Sequence, residues 1–517
     1  MAYNRSPQSS AARTFFWHDF ETTGTHKQLD RPTQFAGIRT DEDLNIIGEP
    51  VMLYCRPSPE IIPHPMAVGI TGITPQECEE KGLIEADFAA AVLQQLGMPG
   101  TCGVGYNTIT FDDEVTRNML FRNFQDPYAR EWQNGNSRFD LLVTARMCCA
   151  LRPEGINWPV DEDGKVSVRL ENLAKANHLK QERAHDALSD VEATIGLARL
   201  IREKQRGLYD YTLGLRNKHT VANLLALPIT SPQSKPLVHV ASFYPRERGF
   251  TAIIGSLGEH PTQSNARLIV DLTADLSQLL TLDAQGIADR LFGGKVEEND
   301  GKPVRLPVSM IQINKVPGLT TMGAFRPASE NLPGDRERLG YTDEVMNRCR
   351  ENLALLRANP QIVQTVSQAF RILSGDYPMP ADPELAIYDG FANNSDKALM
   401  TQVQRASPEA LKEFAFTHPK YNELLFRYRA RNFSHSLDET EKARWDAHRR
   451  ERLISGGPTT TLTVDGFRKT LAETRARPDM ADKQALFDDL SDWVEALVKP
   501  LVLVDKPELS SRARPSP

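Results

Sequence analysis

The chain has 517 residues, of which 25% are charged and 40% apolar, with a formal net charge of −7. That length calls for two or three domains, each with its own core, and the acidic balance argues against coating duplex DNA through a uniformly basic surface, though a basic groove in an acidic body is compatible with it. No apolar run approaches the roughly 20 residues of a membrane span, Met1 to Arg13 lacks the apolar core of a signal peptide, and the six scattered cysteines have no zinc-ligand spacing and read as reduced, mostly buried thiols, so the expectation is a cytoplasmic protein without a membrane anchor.

Residues 14–20 form a short apolar strand that ends in Asp19-Phe20-Glu21. Residues 34–40 and 44–47, split by Asp41-Glu42-Asp43, and then 51–55 read as further strands. Ile84, Phe88, Ala91, Val92 and Leu96 recur at helical spacing. Val115, Met119 and Phe121 mark a helix that starts at Asp112. Leu188, Val191, Ile195 and Leu200 mark a long amphipathic helix around Asp190. This first part, 14–205, reads as an α/β unit with a mixed sheet flanked by helices. A linker is expected near Gln205-Arg206-Gly207. Short β-type runs at 237–240, 251–254, 267–272 and 308–313, with a polar loop at 293–303, make 206–350 a small β-rich domain. Helical apolar spacing at 352–356, 362–372, 409–416 and 483–498 makes 351–500 a helical domain. Residues 1–13 and 501–517 are expected to be flexible or disordered.

Asp19 and Glu21 alternate on a strand, so both side chains point to one face. Such a pair is costly unless cations lie between them. Two Mg²⁺ ions about 3.5–4 Å apart would neutralise it and clamp both oxygens of an in-line phosphoryl displacement. Asp112 adds a carboxylate from the start of one helix and Asp190 adds another from within the long helix. Residues five apart on a helix diverge by about 140°, so His185 belongs on the loop before that helix, with Asp186 near the N-cap. A loop imidazole suits a general base near neutrality. Each motif alone is usually solvated surface, and Asp113 and Glu114 read as ordinary acids of a helix N-terminus. Their occurrence together, in order and on the expected elements, points to catalysis.

These residues resemble the DEDDh exonuclease superfamily, and longer strings resemble the bacterial exodeoxyribonuclease I family. The strings are HDFETTGTHKQLDRPTQFAGIRTD (18–41), GYNTITFDDEVTRNMLFRNFQDPY (105–128), LRPEGINWP (151–159), AHDALSDVEATI (184–195), RNKH (216–219), NLALLRANPQ (352–361) and LLFRYRARNF (424–433). The resemblance implies an RNase H-like α/β exonuclease domain, an SH3-like β domain and a C-terminal helical domain, together forming a C-shaped clamp in a monomer. It implies a Mg²⁺-dependent enzyme, two ions per site with Mn²⁺ as an alternative, that degrades single-stranded DNA from the 3′ end to 5′-mononucleotides in repair and recombination. By position, Asp19 would serve both metals, Glu21 and Asp190 one, Asp112 the other, and His185 would deprotonate the attacking water.

A strand held without regard to sequence needs arginines for phosphates and aromatic faces for bases. The resemblance points to Arg117, Tyr128, Trp132, Arg146 and Arg169, with Glu21, as DNA contacts. The alternating run from Phe426 to Phe433 suits a stacking groove or a helix with a solvated Arg face, and Arg444, Arg449, Arg450 and Arg452 read as mostly solvated. The resemblance also implies binding of the acidic C-terminal tail of single-stranded-DNA-binding protein, with Arg152, Tyr211, Lys235, Arg326 and Arg357 as matching positions.

Overall fold

The computed structural model describes residues 12–181, 184–292, 298–299, 302–303, 306–329, 333–375, 380, 382–390 and 392–503. Strand β1 (Thr14–Thr22) is apolar on both faces, because it lies in the middle of a covered sheet. It pairs antiparallel with β2 (Pro32–Thr40), which pairs with β3 (Val51–Tyr54). On its other side it runs parallel to β4 (Thr101–Gly105), which is parallel to β5 (Ser137–Asp140). The order is β3-β2-β1-β4-β5.

Alternation along β1 sorts its side chains. Phe15 and Trp17 enter a core with Val191, Ile195 and Ala198 of the Ala187–Lys204 helix. Phe16 and Phe20 enter a second core with Phe88 and Val92 of the Glu85–Leu96 helix and Val115 and Met119 of the Asp112–Arg122 helix. Asp19 and Glu21 have the parity of Phe15 and Trp17, so they face the helix that carries Asp190. At the end of β4 the chains approach closely: a Cβ on Gly105 would lie 2.6 Å from the His18 carbonyl oxygen and 2.1 Å from Thr108 Cγ2.

The second sheet is antiparallel throughout. It contains β6 (Leu237–Val240), β7 (Thr251–Glu259) and β8 (Ala266–Asp271). After the two-residue pair β9 (Glu298–Asn299) and β10 (Lys302–Pro303) come β11 (Val308–Gln312) and β12 (Gly318–Thr321), giving the order β11-β8-β7-β6-β12. Val238, Ile253 and Leu268 pack with Leu356, Ile362 and Val366 of the helices Asp343–Ala358 and Gln361–Leu373. The remaining helices fasten to the first part through two apolar seams: Ile62 and Val68 against Phe467 and Phe487, and Phe124 against Tyr421, Leu424 and Tyr428.

Several expectations need correction. Residues 44–47 form no strand: the Asp41 carboxylate accepts from Asp43 N, Asn45 N and Asn45 Nδ2, Leu44 takes φ +68°, and one bridge, Thr40 to Ile46, remains. Gln205 is no linker but a one-residue break before the Arg206–Gly214 helix, whose Tyr209 is buried. Residues 409–416 hold only the short 3₁₀ turn Ala410–Glu413. The expected division at 350/351 falls within the Asp343–Ala358 helix. Most of 293–303, and residues 1–11 and 504–517, lie outside the described residues. All six cysteines are free and buried, and among the described residues no helix is long and apolar enough to cross a membrane.

Candidate active site

Asp19, Glu21 and Asp190 come together as the sequence spacing required: one carboxylate oxygen from each lies within 4.8 Å of the others. Asp112 stands beside this group, its Oδ1 accepting from Phe20 N at 3.1 Å. Loss of solvent, then repulsion from Asp112, Glu21 and Asp190, raises Asp19 well above an ordinary carboxylate. Burial, with Asp190 and Asp112, raises Glu21 to about 9. Burial raises Asp112 to about 8 against the pull of backbone donors, and Asp190 also shifts upward. Four acids that disfavour their own ionisation, gathered at one end of the central strand, form a donor set suited to hard divalent cations.

Asp112 is placed by a loop that folds over a buried carboxylate. Asp140, at the end of β5, accepts from Asn107 N (2.9 Å), Ile109 N (3.2 Å) and Leu142 N (3.0 Å), the last capping the Leu141–Leu151 helix. Asn107 takes φ +68°, a conformation Asn tolerates. Asp113 is a buried anion and no ordinary helix-start acid: Arg130 Nη2 and Arg138 Nη1 donate to its two oxygens at 2.5 and 2.8 Å.

His185 lies on the turn before the long helix, with Asp186 as N-cap, as the 140° argument required. It takes φ +62°, its side chain is 48% exposed, and its N–H donates to Asp190 Oδ2 at 3.3 Å. Its Nε2 lies 3.5 Å from Glu171 Oε2, and Arg169 Nη1 lies 3.8 Å from Glu171 Oε1. Gln181 Nε2 donates to the other oxygen of Asp190 at 2.7 Å. Sequence reasoning missed Glu171 and Gln181. Glu171 sits on the separate short helix Leu170–Ala176, and only packing brings it to His185. Gln181 is a polar residue on a connecting segment with no motif of its own.

Arg117, Tyr128 and Trp132 line one wall of a cleft of ≈ 1910 Å³ that also reaches Lys315 and Tyr388. The carboxylates lie outside it; the Asp112–Arg122 helix runs from them to its wall. Trp132 is 66% exposed. Arg117 already bonds Glu114 and, through two nitrogens, Glu131, and stacks over Tyr128. Arg146 is not on the cleft and stacks over Phe250, while Arg169 is exposed on the His185 side.

The run from Phe426 to Phe433 is neither a stacking groove nor a solvated Arg face. It belongs to the Pro419–Asn432 helix, where Phe426 packs on Trp445 and Tyr428 on Phe124. Arg427 pairs with Asp382 and Glu423, Arg429 with Glu441, and Arg431 with Glu60 and Glu384. Acids distant in sequence neutralise each cation, which helical spacing cannot show. Arg452, expected in solvent, is 3% exposed, and Arg444 stacks over Phe426.

Of the positions expected to hold a partner peptide, Arg152 bonds Ala324 O and faces Asp335, and Arg326 bonds Glu154 and Asp335. Arg357 donates to Ser234 O beside the exposed Lys235, and Tyr211 donates to Leu319 O.

Three family models match the chain: Exonuclease over residues 16–198, Exonuclease I SH3-like domain over 216–372, and Exonuclease I C-terminal domain over 381–497. The chain is 46% identical over 441 residues to exodeoxyribonuclease I of Escherichia coli (strain K12), covering 85% of this chain and 89% of that protein. It resembles the crystal structure of E. coli exonuclease I in complex with a dA16 oligonucleotide, with a TM-score of 0.85 and 42% identity over 94% of this chain and 100% of that one. It resembles equally well a zinc-bound form of an E. coli exonuclease I–single-stranded DNA complex, with a TM-score of 0.84, 42% identity and the same coverage.

Proposed function

The chain belongs to the exonuclease I family, and from that premise we propose that it is a Mg²⁺-dependent 3′→5′ exonuclease that degrades single-stranded DNA to 5′-mononucleotides, in the cytoplasm, in DNA repair and recombination. The observation that carries this reading is the convergence of Asp19, Glu21 and Asp190 within 4.8 Å, with Asp112 beside them on a second element.

The donor set fits divalent metal: four carboxylates with raised pKa values are relieved by cations, and oxygen ligands suit Mg²⁺ or Mn²⁺. Asp19, Glu21 and Asp190 would hold one ion, and Asp19 with Asp112 a second. Such ions, when bound, supply charge neutralisation to the phosphodiester and its leaving oxygen. The His185 ring takes the proton of the attacking water, whose oxygen forms a bond to the terminal phosphorus as the bond from phosphorus to the preceding 3′ oxygen breaks. Its backbone bond to Asp190 and its contact with Glu171 orient the ring. Arg117, Tyr128, Trp132, Arg146 and Arg169 would hold the strand.

The test is degradation of matched DNA and RNA oligomers with free and blocked 3′ ends, with and without EDTA. The expected result is Mg²⁺-dependent shortening of 3′-free single-stranded DNA alone. Equal activity of wild type and Asp19→Ala would sink the mechanism. The surface carrying Arg152, Tyr211, Lys235, Arg326 and Arg357 would bind the acidic C-terminal tail of single-stranded-DNA-binding protein. A peptide titration unaffected by Arg326→Ala would count against that assignment.

A further inference from the structure

One buried carboxylate behind the cleft wall gathers donors from its own helix and from two distant stretches of chain. Glu114, 6% exposed, lies two residues beyond Asp112. Its Oε1 accepts from Arg117 Nη1 at 2.7 Å on its own helix and from Lys315 Nζ at 3.3 Å, 201 residues away, between β11 and β12. Its Oε2 accepts from the Tyr388 hydroxyl at 2.8 Å, 274 residues away in the C-terminal part. Tyr388 is 59% exposed, and its ring centroid lies 6.5 Å from that of Tyr128. Arg117, Tyr128, Lys315 and Tyr388 all line the same cleft. Arg138 adds a parallel link, from Asp113 to the Asn314 carbonyl at 3.1 Å.

We infer that Glu114 is a positioning residue that pins the SH3-like part and the C-terminal part onto the helix bearing Asp112, and so sets how long a single strand stays in the cleft. Interfaces between domains permit relative motion unless they are fastened, and Arg117, Lys315 and Tyr388 of this fastening line the cleft proposed to hold the strand, with Glu114 on the helix that begins at Asp112. A buried carboxylate with charged or hydroxyl donors on both oxygens holds its partners in fixed geometry. The inference rests on the exonuclease reading, whose substrate it takes over.

Two measurements on the full chain test it. In the first, enzyme bound to 5′-labelled single-stranded DNA is started with Mg²⁺ and an excess of unlabelled strand, and the length removed per binding event is read. Glu114→Gln should shorten the run at least threefold and Tyr388→Phe about twofold, while kcat on a saturating short oligomer stays within about twofold. Tyr388→Phe in the Glu114→Gln background should add less than it does alone, since both weaken the Tyr388–Glu114 bond. In the second, the dissociation rate of the labelled strand is measured in EDTA, where no hydrolysis occurs. Each variant should release it faster by about the factor by which it shortens the run, and Tyr388→Phe, which keeps the ring, guards against a folding defect in Glu114→Gln. Wild-type run lengths and release rates in both variants, or additive effects, overturn the inference. Faster release by the variants together with no hydrolysis by wild type leaves the tether standing and removes the exonuclease reading. A wild type that does not bind the strand overturns both.

Discussion

Asp112 and Glu21 titrate near 8 and 9, because burial, and for Glu21 the neighbouring acids Asp190 and Asp112, disfavour the charged forms. An unfolded carboxyl titrates near 4. A folded value raised above the unfolded one means that folding holds protons the unfolded chain releases, so stability falls as pH rises from about 4 through about 8 to 9. In EDTA, Asp112→Asn should therefore raise Tm by several degrees at pH 8, with the gain shrinking to nothing as pH falls toward 4; about 2–4 °C per kcal/mol is expected for a domain of this size. A calorimetric gain of equal size at both pH values would refute this origin. His185→Ala should lower turnover by about 10²–10⁴-fold, the range for loss of a general base, with strand affinity retained by fluorescence anisotropy. Asp19, Glu21, Asp112, Asp190 and His185 were legible because strand alternation and helix periodicity are local properties. Glu171 and Gln181 were not, because their relation to His185 and Asp190 exists only after packing.

At the scale of the element, the site depends on the ends of parallel strands β1, β4 and β5, outside which α/β sheets form their ligand crevices. Asp140 makes this end rigid, with three backbone N–H groups from the 106–112 loop and the following helix on one carboxylate. Asp140→Ala should strand these buried donors and cost about 2 kcal/mol or more. It should also weaken metal binding, because Asp112 ends the same loop. Urea midpoints and isothermal titration with Mg²⁺ check the two effects, and a variant with wild-type values in both would refute the role. β1 and the Asp190 helix were legible from their own patterns. The apolar content of residues 44–47 suggests a strand, but the Asp41 side chain competes for the backbone N–H groups, which apolar content does not reveal.

At the scale of the molecule, the first part and the C-terminal part are fastened by a buried ion network as well as by apolar seams. Arg31 Nη2 lies 2.6 Å from Glu384, Arg431 Nη2 lies 2.5 Å from Glu384 and 2.6 Å from Glu60, and Arg122 Nη2 lies 2.5 Å from Glu85. Burial alone would raise Glu60, but Arg431 and Arg31 outweigh it and hold it at about 2. Its folded value lies below the unfolded one, so its contribution is full above about pH 4.3 and is lost as pH falls toward 2. Arg431→Met leaves buried anions uncompensated and should cost about 3–5 kcal/mol. Added salt should change this cost little, since buried pairs are poorly screened. Denaturant titrations at low and high salt measure both; a cost below about 1 kcal/mol would show that the network is dispensable.

Local periodicity carries the carboxylates, their shared strand face, the loop position of His185 and the succession of α/β, β-rich and helical regions. Which charges are buried, and what they face, follows from packing in three dimensions. The arginines between Phe426 and Phe433 look like a strand-binding ribbon until Glu60, Asp382, Glu384 and Glu441 are brought against them. Arg117 looks free until Glu114 and Glu131 are seen beside it. An ion pair depends on distance in space, and sequence separation carries almost no information about that distance.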